Sequence, residues 1–379
     1  MSVAQCCLTF LPEGHAWYYD QICHLNRYRS IILTQERIHE DLFPFDKVFV
    51  LPKYSSLNEA LDTDARDVFR VFNDQLKSVA YREDIQLLHA HGGVAGIVFL
   101  PAALSCSLPI VTSFTGYDVS MLINHRKYLL SLRMLFENGT LFTVLADEMR
   151  ERVKRLGCPP EKIRLVRRGI DLTKFPFQPK IPPEPGQPTL ILTAARLTEK
   201  KGIPDLIEAF SCLINEGENV RLRIIGDGEL RDEIATKIEE LGITQWVEML
   251  GWQSRTEVAR QMSLCHIFCL PSCTAEDGDV EGIPNALKEA MASGMPVIST
   301  YHAGIPELIN DGVNGMLVPE HDVKGLQNRM KYLLDHPECL PRMGRCARAE
   351  IEAHYDVSRQ ADLMETVYDQ AIAHQNEGI

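Results

Sequence analysis

Short apolar runs alternate with amphipathic stretches of helical length in the first half of the chain. The apolar runs that predict strands lie at residues 6–10, 31–33, 48–51, 87–91 and 109–114. The longer stretches at 63–81 and between 93 and 105 predict helices, because they are too long for strands. Strand then helix, repeated in this way, indicates parallel pairing with crossover helices.

The same alternation of predicted strands and helices begins again after residue 189. Predicted strands lie at residues 190–195, 221–225, 247–251, 297–299 and 315–318, with another centred on Ile267. Predicted helices lie at residues 203–214, 229–241, 285–292, 323–334, 340–354 and 357–373. The fold class is therefore α/β, and ligands are expected at the carboxyl ends of the strands. In the first half, Gly14, His91 and Asp118 all follow a predicted strand.

A chain of 379 residues is long enough for two domains with separate cores. Residues 175–189 contain six prolines, which predicts a stiff connector that is not part of a core. We therefore expect a first domain at residues 1–172, a connector at 173–188 and a second domain at 189–356. Two such domains joined by a connector enclose one deep interdomain cleft, in which a nucleotide would lie.

The stretch from Cys273 to Gly294 carries the strongest chemical signal. After an apolar run it becomes an acidic loop, which leads through Pro284 into a series of helix formers. Pro284 is expected in the first turn, where its missing N–H needs no partner. The start of this helix favours an anion. Glu281 and Glu289 flank it and are suited to accept bonds from sugar hydroxyls. Alternatively, Glu281 caps the helix and Glu289 is solvated.

Arg196 and Lys201 flank the first strand-to-helix loop of the second half, and Lys200 is an adjacent candidate. When a glycosidic bond to a diphosphate breaks, the leaving group gains most of the developing charge. Fixed cations aimed at it lower the barrier, because they stabilise the transition state more than the ground state. Surface loops also carry Arg and Lys without such a role.

Composition limits the function classes. The net charge of −13 argues against bulk binding of nucleic acid. No apolar run reaches the length of a membrane span, and the N-terminal residues lack the basic start of a signal peptide. Eleven scattered cysteines suit a reducing cytosol. Cys265, His266, Cys269 and Cys273 share a strand-like run whose side chains alternate between faces, so buried thiols are expected there and not a metal site.

The segment at residues 124–169 is locally basic, with eleven Lys or Arg against five Asp or Glu. It includes Arg126, Lys127 and Arg133 beside the apolar run at 128–136. A basic, apolar helix on an acidic protein is suited to dock on anionic lipid. The same pattern also fits a solvated helix face over a core stripe.

Several motifs resemble those of the family 4 retaining glycosyltransferases. The second half carries Ala195-Arg-Leu-Thr-Glu-Lys-Lys-Gly202, Ile225-Gly-Asp-Gly-Glu-Leu230, the Glu281/Glu289 segment, Gly304-Ile-Pro-Glu-Leu308 and Asp311-Gly-Val-Asn-Gly315. The first half carries Leu88-His-Ala-His91, Ser113-Phe-Thr-Gly-Tyr-Asp118 and Arg168-Gly-Ile-Asp171. Together they cover most of the chain. The sequence around Glu281 resembles that of family members that build exopolysaccharide or lipopolysaccharide repeat units.

The resemblance implies the GT-B fold of two Rossmann-like domains, with a helix from about residue 357 crossing back to the first domain. It implies a nucleoside-diphosphate sugar as donor substrate on the second domain and a glycan or lipid-linked acceptor on the first. It also implies retention at the anomeric carbon without a metal or a resident cofactor. A protein of this type is expected in the cytoplasm, with peripheral contact at the anionic inner membrane face.

In this resemblance Arg196 and Lys201 hold the diphosphate, while Glu289 accepts the ribose hydroxyls and Glu281 the hydroxyls of the donor sugar. The other expected site residues are Gly14, Thr115, Asp118, Gly226, Gly251, Trp252, Gly282, Ile283, Pro284 and Asn285. The N–H groups around Ile283 to Asn285 are expected to hold a phosphate oxygen. Gly226 opens a Gly-x-Gly that lacks the third glycine of a dinucleotide fingerprint.

One position departs from the family pattern. Many members have His where this chain has Thr115, near the donor sugar, so an imidazole-dependent step is in doubt and Asp118 is a substitute contact for donor or acceptor hydroxyls. Two other functions stay open from sequence: a nucleotide-sugar epimerase of similar two-domain shape, which needs no acceptor, and a catalytically silent subunit that binds a nucleotide sugar.

Overall fold

The computed structural model describes residues 1–11, 16–52 and 66–377. Gly14 lies outside these ranges, as do the first residues of the helix expected over 63–81. Within them the chain forms two compact units, each with its own parallel β-sheet. The first unit consists of Met1–Gly169 with Val357–Ile379, and the second of Ile170–Asp356.

Seven parallel strands form the sheet of the first unit. They are β1 (Ser2–Phe10), β2 (Arg29–Arg37), β3 (Val48–Val50), β4 (Ile85–His91), β5 (Ile110–Ser113), β6 (Leu141–Val144) and β7 (Ile163–Leu165). Their order is β3-β2-β1-β4-β5-β6-β7, so the chain starts in the middle and reverses its progress between β1 and β4. Ala4 in β1 pairs with Ile31 on one side and Leu88 on the other. Helices cover both faces of such a sheet, which explains why its central strands read as continuous apolar runs.

Among the described residues, six helices of the first unit come before its last strand, β7, in sequence. They are α1 (Ala16–Cys23), α2 (Arg66–Arg82), α3 (Gly93–Ser105), α4 (Tyr117–Ser120), α5 (Arg126–Asn138) and α6 (Asp147–Arg155). The small residues of α3 allow close packing: a Cβ on Gly96 would come within 2.8 Å of the side chains of Thr112 and Leu135. The helix therefore lies tightly between β5 and α5.

The second unit has six parallel strands. They are β8 (Thr189–Ala194), β9 (Val220–Ile225), β10 (Val247–Gly251), β11 (Ile267–Cys269), β12 (Val297–Thr300) and β13 (Met316–Val318). Its helices are α7 (Ile203–Asn215), α8 (Arg231–Glu240), α9 (Arg255–Leu264), α10 (Asn285–Ala292), α11 (Ile305–Leu308), α12 (Val323–Asp335) and α13 (Cys339–His354). No helix among the residues described is both long enough and apolar enough to span a bilayer.

The strand order of the second sheet, β10-β9-β8-β11-β12-β13, reverses between β8 and β11. These strands are neighbours, with Ile191 paired to Ile267. Because all strands are parallel, the loops that leave their carboxyl ends emerge side by side. Such a reversal is where open α/β sheets bind ligands.

The last helix, α14 (Val357–Glu377), belongs to the first unit. Its Glu365 is fully buried and accepts backbone N–H bonds from Asn26 (2.7 Å), Arg27 (2.6 Å) and Tyr28 (3.2 Å). The Arg27 guanidinium adds an ion pair at 3.0 Å. One carboxylate therefore fixes the turn before β2 to this helix.

A buried polar network joins α14 to the centre of the first sheet. The imidazole of His89 contacts the Tyr368 hydroxyl through Nδ1 and the Ser113 hydroxyl through Nε2, both at 2.7 Å. Burial lowers the pKa of His89 to about 3, so the ring is neutral. Gln5 contacts both the Tyr368 hydroxyl and the ring of His91. These bonds satisfy groups that would otherwise be costly to bury.

Two strands and a helix of the first unit were not expected. In the segment 124–169 the sequence indicated its basic charge and one helix around residues 128–136, yet the segment also contains β6, α6 and β7. β6 is four residues long and β7 three, and each lies beside charged helical turns. These two strands are stabilised by burial against neighbouring strands of the sheet, and the local hydrophobic pattern does not show that burial.

The proline-rich segment is not a detached connector, contrary to expectation. It belongs to the second unit, where Phe175 is fully buried. The ammonium group of Lys180 is also buried and donates to the carbonyl oxygens of Met262 (2.5 Å) and Ser263 (3.0 Å). The prolines fix an extended course that packs on the C-terminal end of α9, so their stiffness serves the core of this unit.

Replacing Glu365 with Ala should destabilise the protein by about 3 kcal/mol, because three backbone N–H groups and Arg27 lose a buried acceptor. Urea denaturation measures the free energy of unfolding. Glu352→Ala removes an exposed glutamate on α13 and serves as the control. A loss in Glu365→Ala no larger than in the control would contradict the role assigned to the buried carboxylate.

Candidate functional site

Two lysines of the loop between β8 and α7 contact the acidic loop that follows β11. The Lys201 Nζ lies 2.7 Å from Oε1 of Glu281. The Lys200 Nζ lies 3.5 Å from the same oxygen and 2.7 Å from Oδ2 of Asp279. All four side chains are largely shielded from solvent, which strengthens their attraction relative to surface ion pairs. The structure therefore brings Lys201 and Glu281 together and adds Lys200 as a second cation.

The charge state of Glu281 follows from these neighbours. Burial alone would raise the pKa of its carboxyl, but the charges of Lys201 and Lys200 and the hydrogen bond from Lys201 outweigh that cost. The pKa of Glu281 is lowered to about 2. The carboxylate is ionised at neutral pH and can only accept hydrogen bonds.

The two loops also contact each other through their backbones. The N–H of Cys273 donates to the carbonyl oxygen of Lys200 at 3.0 Å. Gly202 has a φ of 63°, and a Cβ there would overlap the carbonyl oxygen of Pro271. Glycine is therefore required where the β8 loop turns into α7. This close approach is what holds the lysines against the acidic loop.

A hydrogen-bonded group behind the acidic loop holds the backbone of Glu281. Its N–H donates to Nε2 of His302 at 3.1 Å, and Nδ1 of the same ring lies 2.7 Å from Oε1 of Glu320. The other carboxylate oxygen of Glu320 accepts the N–H of Thr274 at 2.7 Å. None of these three partners was expected from sequence.

The start of α10 differs by one position from expectation. Pro284, with φ −58° and ψ 131°, precedes the helix as its cap residue instead of lying in its first turn. The first intrahelical bond runs from the N–H of Lys288 to the carbonyl of Pro284, so the N–H groups of residues 285–287 have no acceptor within the helix. Oδ1 of Asn285 is buried without a hydrogen-bond partner among the described residues. Gly282 and Ile283 lead into this turn.

Glu289 lies inside α10, with its carboxylate facing Arg255. Oε1 of Glu289 is 3.5 Å from Nη2 of Arg255, and the guanidinium of Arg255 lies over the ring of Phe175 at 5.3 Å from its centroid. The structure thus gives the second glutamate of the motif a cationic neighbour. Arg255 was not expected, because it comes from α9, more than 30 residues away in sequence.

Gly226 and Gly251 also meet at this edge of the sheet. The N–H of Gly226 donates to the carbonyl oxygen of Gly251 at 2.8 Å. Gly226 has a φ of 133°, and a Cβ there would overlap the carbonyl oxygen of Ala195. The adjacent side chains, Arg196 after β8 and Trp252 after β10, are exposed to solvent. Among the described residues, Arg196 forms no ion pair.

In the first unit, Asp118 is buried and its carboxylate serves the backbone. It accepts N–H bonds from Gly93 (2.8 Å), Thr115 (3.1 Å) and Gly116 (3.0 Å). Burial raises the pKa of Asp118, and these three bonds oppose the rise. The carboxylate therefore fastens the loop after β5 to the start of α3. Its contact with donor or acceptor hydroxyls stays a prediction, as does that of Thr115.

The cysteines near β11 are buried thiols. Burial raises the pKa of Cys265 to about 11 and that of Cys273 to about 12. Nδ1 of His266 accepts the N–H of Leu190 at 2.9 Å. In the part of the chain that the structure describes, no cluster of His, Cys, Asp and Glu is arranged to hold a metal ion.

The pH dependence of stability should show the ionised state of Glu281. Its folded pKa of about 2 lies below that of a free glutamate, about 4.3, so its contribution is present above about pH 4.3 and is lost as the pH falls toward 2. The free energy of unfolding should therefore fall more steeply in the wild type than in Glu281→Gln across this range. Urea denaturation at each pH measures it, with Glu240→Gln, an exposed glutamate, as the control. Parallel curves for wild type and Glu281→Gln would contradict the assignment.

Comparison with known proteins identifies the family of this chain. Residues 174–350 match the family model described as "Glycosyl transferases group 1". Residues 47–174 match the model described as "Glycosyltransferase Family 4". The first match contains both lysines, Glu281 and Glu289, and the second contains Thr115 and Asp118.

Relatives with curated names match over much of the chain. The putative colanic acid biosynthesis glycosyltransferase WcaL of Escherichia coli (strain K12) is 39% identical over 285 residues, covering 73% of this chain and 68% of the relative. The amylovoran biosynthesis glycosyltransferase AmsK of Erwinia amylovora is 38% identical over 249 residues, covering 65% of this chain and 60% of the relative.

Solved structures match the fold. Anabaena Alr3699/HepE in complex with UDP has a TM-score of 0.79 at 19% identity, covering 97% of this chain and 100% of that one. The same protein with UDP-glucose has a TM-score of 0.76 at 18% identity and covers 100% of both chains. The parallel sheets of the two units, the family matches and the identity to WcaL show that this chain belongs to the family 4 glycosyltransferases and has their GT-B fold of two Rossmann-like units.

Proposed function

We propose that this protein transfers a sugar from a nucleoside-diphosphate sugar to a hydroxyl of a glycan or lipid-linked acceptor, with retention at the anomeric carbon. The observation that carries the proposal is the contact between Lys201 and Glu281 where the strand order of the second sheet reverses. In this contact a cation suited to a diphosphate lies beside a carboxylate suited to sugar hydroxyls, which supports the proposal. The diphosphate and the sugar are two of the three chemical parts of a nucleotide sugar, and the third is the nucleoside.

In this proposal the donor's diphosphate lies against Lys201, Arg196 and the free N–H groups at the start of α10. The positive charge comes from the protein itself, so no metal or resident cofactor is needed. Preorganised cations at the leaving group stabilise the charge that develops there. Glu281 accepts hydroxyl bonds of the sugar, and Glu289 those of the ribose. Gly226, Gly251 and Trp252 border the base.

In this proposal the anomeric configuration is retained because the acceptor attacks from the same face that the leaving group departs from. The bond from the anomeric carbon to the phosphate oxygen breaks, the acceptor oxygen bonds to that carbon on the same face, and the departing phosphate takes the acceptor's proton. This course needs no nucleophile from the protein. The first unit holds the acceptor in this proposal, with Thr115 and Asp118 in the loop nearest to it.

The relatives' names support a role in the synthesis of cell-surface polysaccharide, since WcaL and AmsK are named for colanic acid and amylovoran biosynthesis. The structural neighbours that hold UDP or UDP-glucose support a nucleotide-sugar donor. We place the reaction in the cytoplasm, at the membrane's inner face. A lipid-linked acceptor would be met there.

The surface of α5 supports a membrane contact. Its buried face is apolar, but its other face exposes Leu130 and Met134, at 51% and 61%. Arg126, Lys127 and Arg133 lie on this exposed face, at helical spacing. Within the described residues none of these three cations forms an ion pair. A stripe of free cations around two exposed apolar side chains fits an anionic lipid surface.

Lys201→Met and Glu281→Gln should each lower kcat/KM at least about 100-fold, because each removes a charged contact with the reacting group. Lys237→Met removes a lysine ion-paired on the exposed face of α8 and should leave kcat/KM unchanged. The donor is first chosen by thermal shift from UDP-, GDP-, ADP- and dTDP-linked hexoses, since a true donor stabilises the folded state. Transfer to lipid-linked glycans is then measured, with the anomeric configuration of the product read by NMR.

Four results would each overturn a part of the proposal. An inverted product would exclude retention. An epimer formed from donor alone would indicate an epimerase. If the protein binds the donor but transfers no sugar to any acceptor tested, it would be a catalytically silent subunit. Unchanged turnover in both variants would show that Lys201 and Glu281 are not at the reacting group.

Membrane contact has its own test. The wild type should float with vesicles that contain phosphatidylglycerol, and Arg126→Gln/Lys127→Gln should weaken partitioning about 30-fold, since each basic residue near an anionic surface contributes about 1 kcal/mol. Arg342→Gln/Arg345→Gln removes the same charge from the exposed face of α13 and should float like the wild type. Equal losses in both double variants would show that only net charge matters, and no flotation of the wild type would exclude the contact.

A further inference from the structure

The loop that carries Glu281 is held together at both ends by one carboxylate. Glu320, just after β13, accepts the N–H of Thr274 at the start of the loop through Oε2, at 2.7 Å. Through Oε1 it contacts Nδ1 of His302, also at 2.7 Å, and Nε2 of that ring accepts the N–H of Glu281 at 3.1 Å. We infer that Glu320 and His302 are positioning residues that set where the carboxylate of Glu281 meets the donor sugar. This inference rests on the proposed function.

The hydrogen bonds fix the tautomer of His302. Because the Glu281 N–H donates to Nε2, that nitrogen must carry a lone pair, so the proton lies on Nδ1 and points to Glu320. The ring is only 1% exposed, so the imidazole itself is shielded from water. The pKa of Glu320 is lowered: burial would raise it, but the bonds from His302 and Thr274 outweigh that effect. The carboxylate therefore stays ionised and keeps accepting both bonds.

The loop needs such support because of its own charge. Residues 276–281 carry four carboxylates, those of Glu276, Asp277, Asp279 and Glu281. Like charges this close repel each other and favour an open loop. Lys200 and Lys201 attract the side chains of Asp279 and Glu281 from one side. The two ammonium groups contact carboxylates and not the backbone of the loop, so the course of the main chain through Glu281 depends on other contacts.

Main-chain contacts come from the loop after β12. The N–H of Gly304 donates to the carbonyl oxygen of Gly282 at 3.2 Å, next to the bond between Glu281 and His302. The hydroxyl of Ser299 donates to the carbonyl oxygen of Leu270 at 2.6 Å, before the loop begins. β12 and the loop after it thus contact the chain before the acidic loop and at its end, and His302 makes the contact to Glu281, the proposed sugar-binding residue.

Two substitutions at His302 separate its two bonds. Asn places its amide near Nδ1, so it can keep the bond to Glu320 but offers no acceptor to the Glu281 N–H. Gln places its amide near Nε2, so its oxygen can accept that N–H while the bond to Glu320 is lost. If His302 acts by holding Glu281, Gln should restore what Asn loses. If it only fills space, the two should behave alike.

The measurement compares affinities for two probes by calorimetry. The first is whichever of UDP-glucose, UDP-galactose, GDP-mannose, ADP-glucose and dTDP-glucose binds the wild type most tightly, and the second is its free nucleoside diphosphate. In His302→Asn the sugar nucleotide should bind about tenfold more weakly, the loss expected for one buried hydrogen bond, while the nucleoside diphosphate binds as in the wild type. In His302→Gln both affinities should stay within about threefold of the wild type. His321→Asn changes an exposed histidine near the same loops and is the control.

The outcomes separate this inference from the proposed function. If the wild type binds no nucleotide sugar, the proposed function fails and the inference fails with it. If the wild type binds one but His302→Asn weakens both probes equally, or Gln and Asn lose the same affinity, the positioning role is overturned and the proposed function stands. A variant that fails to fold loses both probes together, which counts against positioning.

Discussion

The contact between Lys201 and Glu281 depends on one constraint, the reversal of strand order between β8 and β11. In a parallel sheet every strand ends at the same edge, so only neighbouring strands bring their loops into contact. Residues about 80 positions apart in sequence therefore become ion-pair partners. The glycine at position 202 makes the approach close enough, because any side chain there would overlap the backbone of Pro271. The strand order therefore determines where the candidate site lies, and the loop residues determine which groups it presents.

Three carboxylates that are buried or largely shielded from water, those of Glu365, Asp118 and Glu281, show how the protein stabilises such charges. Glu365 is held by backbone N–H groups and Arg27, and Asp118 by backbone N–H groups alone. Glu281 is held by two lysine side chains. Backbone donors are fixed by the fold, whereas lysine side chains can turn toward a diphosphate without unfolding anything. Of the three, Glu281 is therefore the carboxylate whose partners a ligand can exchange.

The sequence predicts those parts of the fold whose signal is local. α10 was expected at 285–292 and lies there, because helix formers fill it and Gly294 follows it. β6 and β7 were missed, since their burial depends on strands far away in sequence. The acidic loop and Lys201 were predicted from motifs. His302, Glu320 and Arg255 were not, because their contacts join loops that only the sheet brings together. The proline-rich segment misled for a related reason: composition indicates stiffness but not what the segment packs on.

Both units have a parallel sheet whose strand order reverses, but the loops at that edge present different chemical groups in the two units. In the first sheet the Asp118 carboxylate accepts backbone N–H bonds and fastens Thr115 and Gly116 to the start of α3. In the second sheet the corresponding edge presents lysines, an ionised glutamate and helical N–H groups without acceptors in the helix. When the bond to a phosphate ester breaks, the developing negative charge is stabilised best by positive groups that are already in place. Moving such groups at the moment of reaction would cost free energy. This difference in what the loops present, and not any difference in the sheets, is the physical reason for proposing that a sugar donor binds to the second unit.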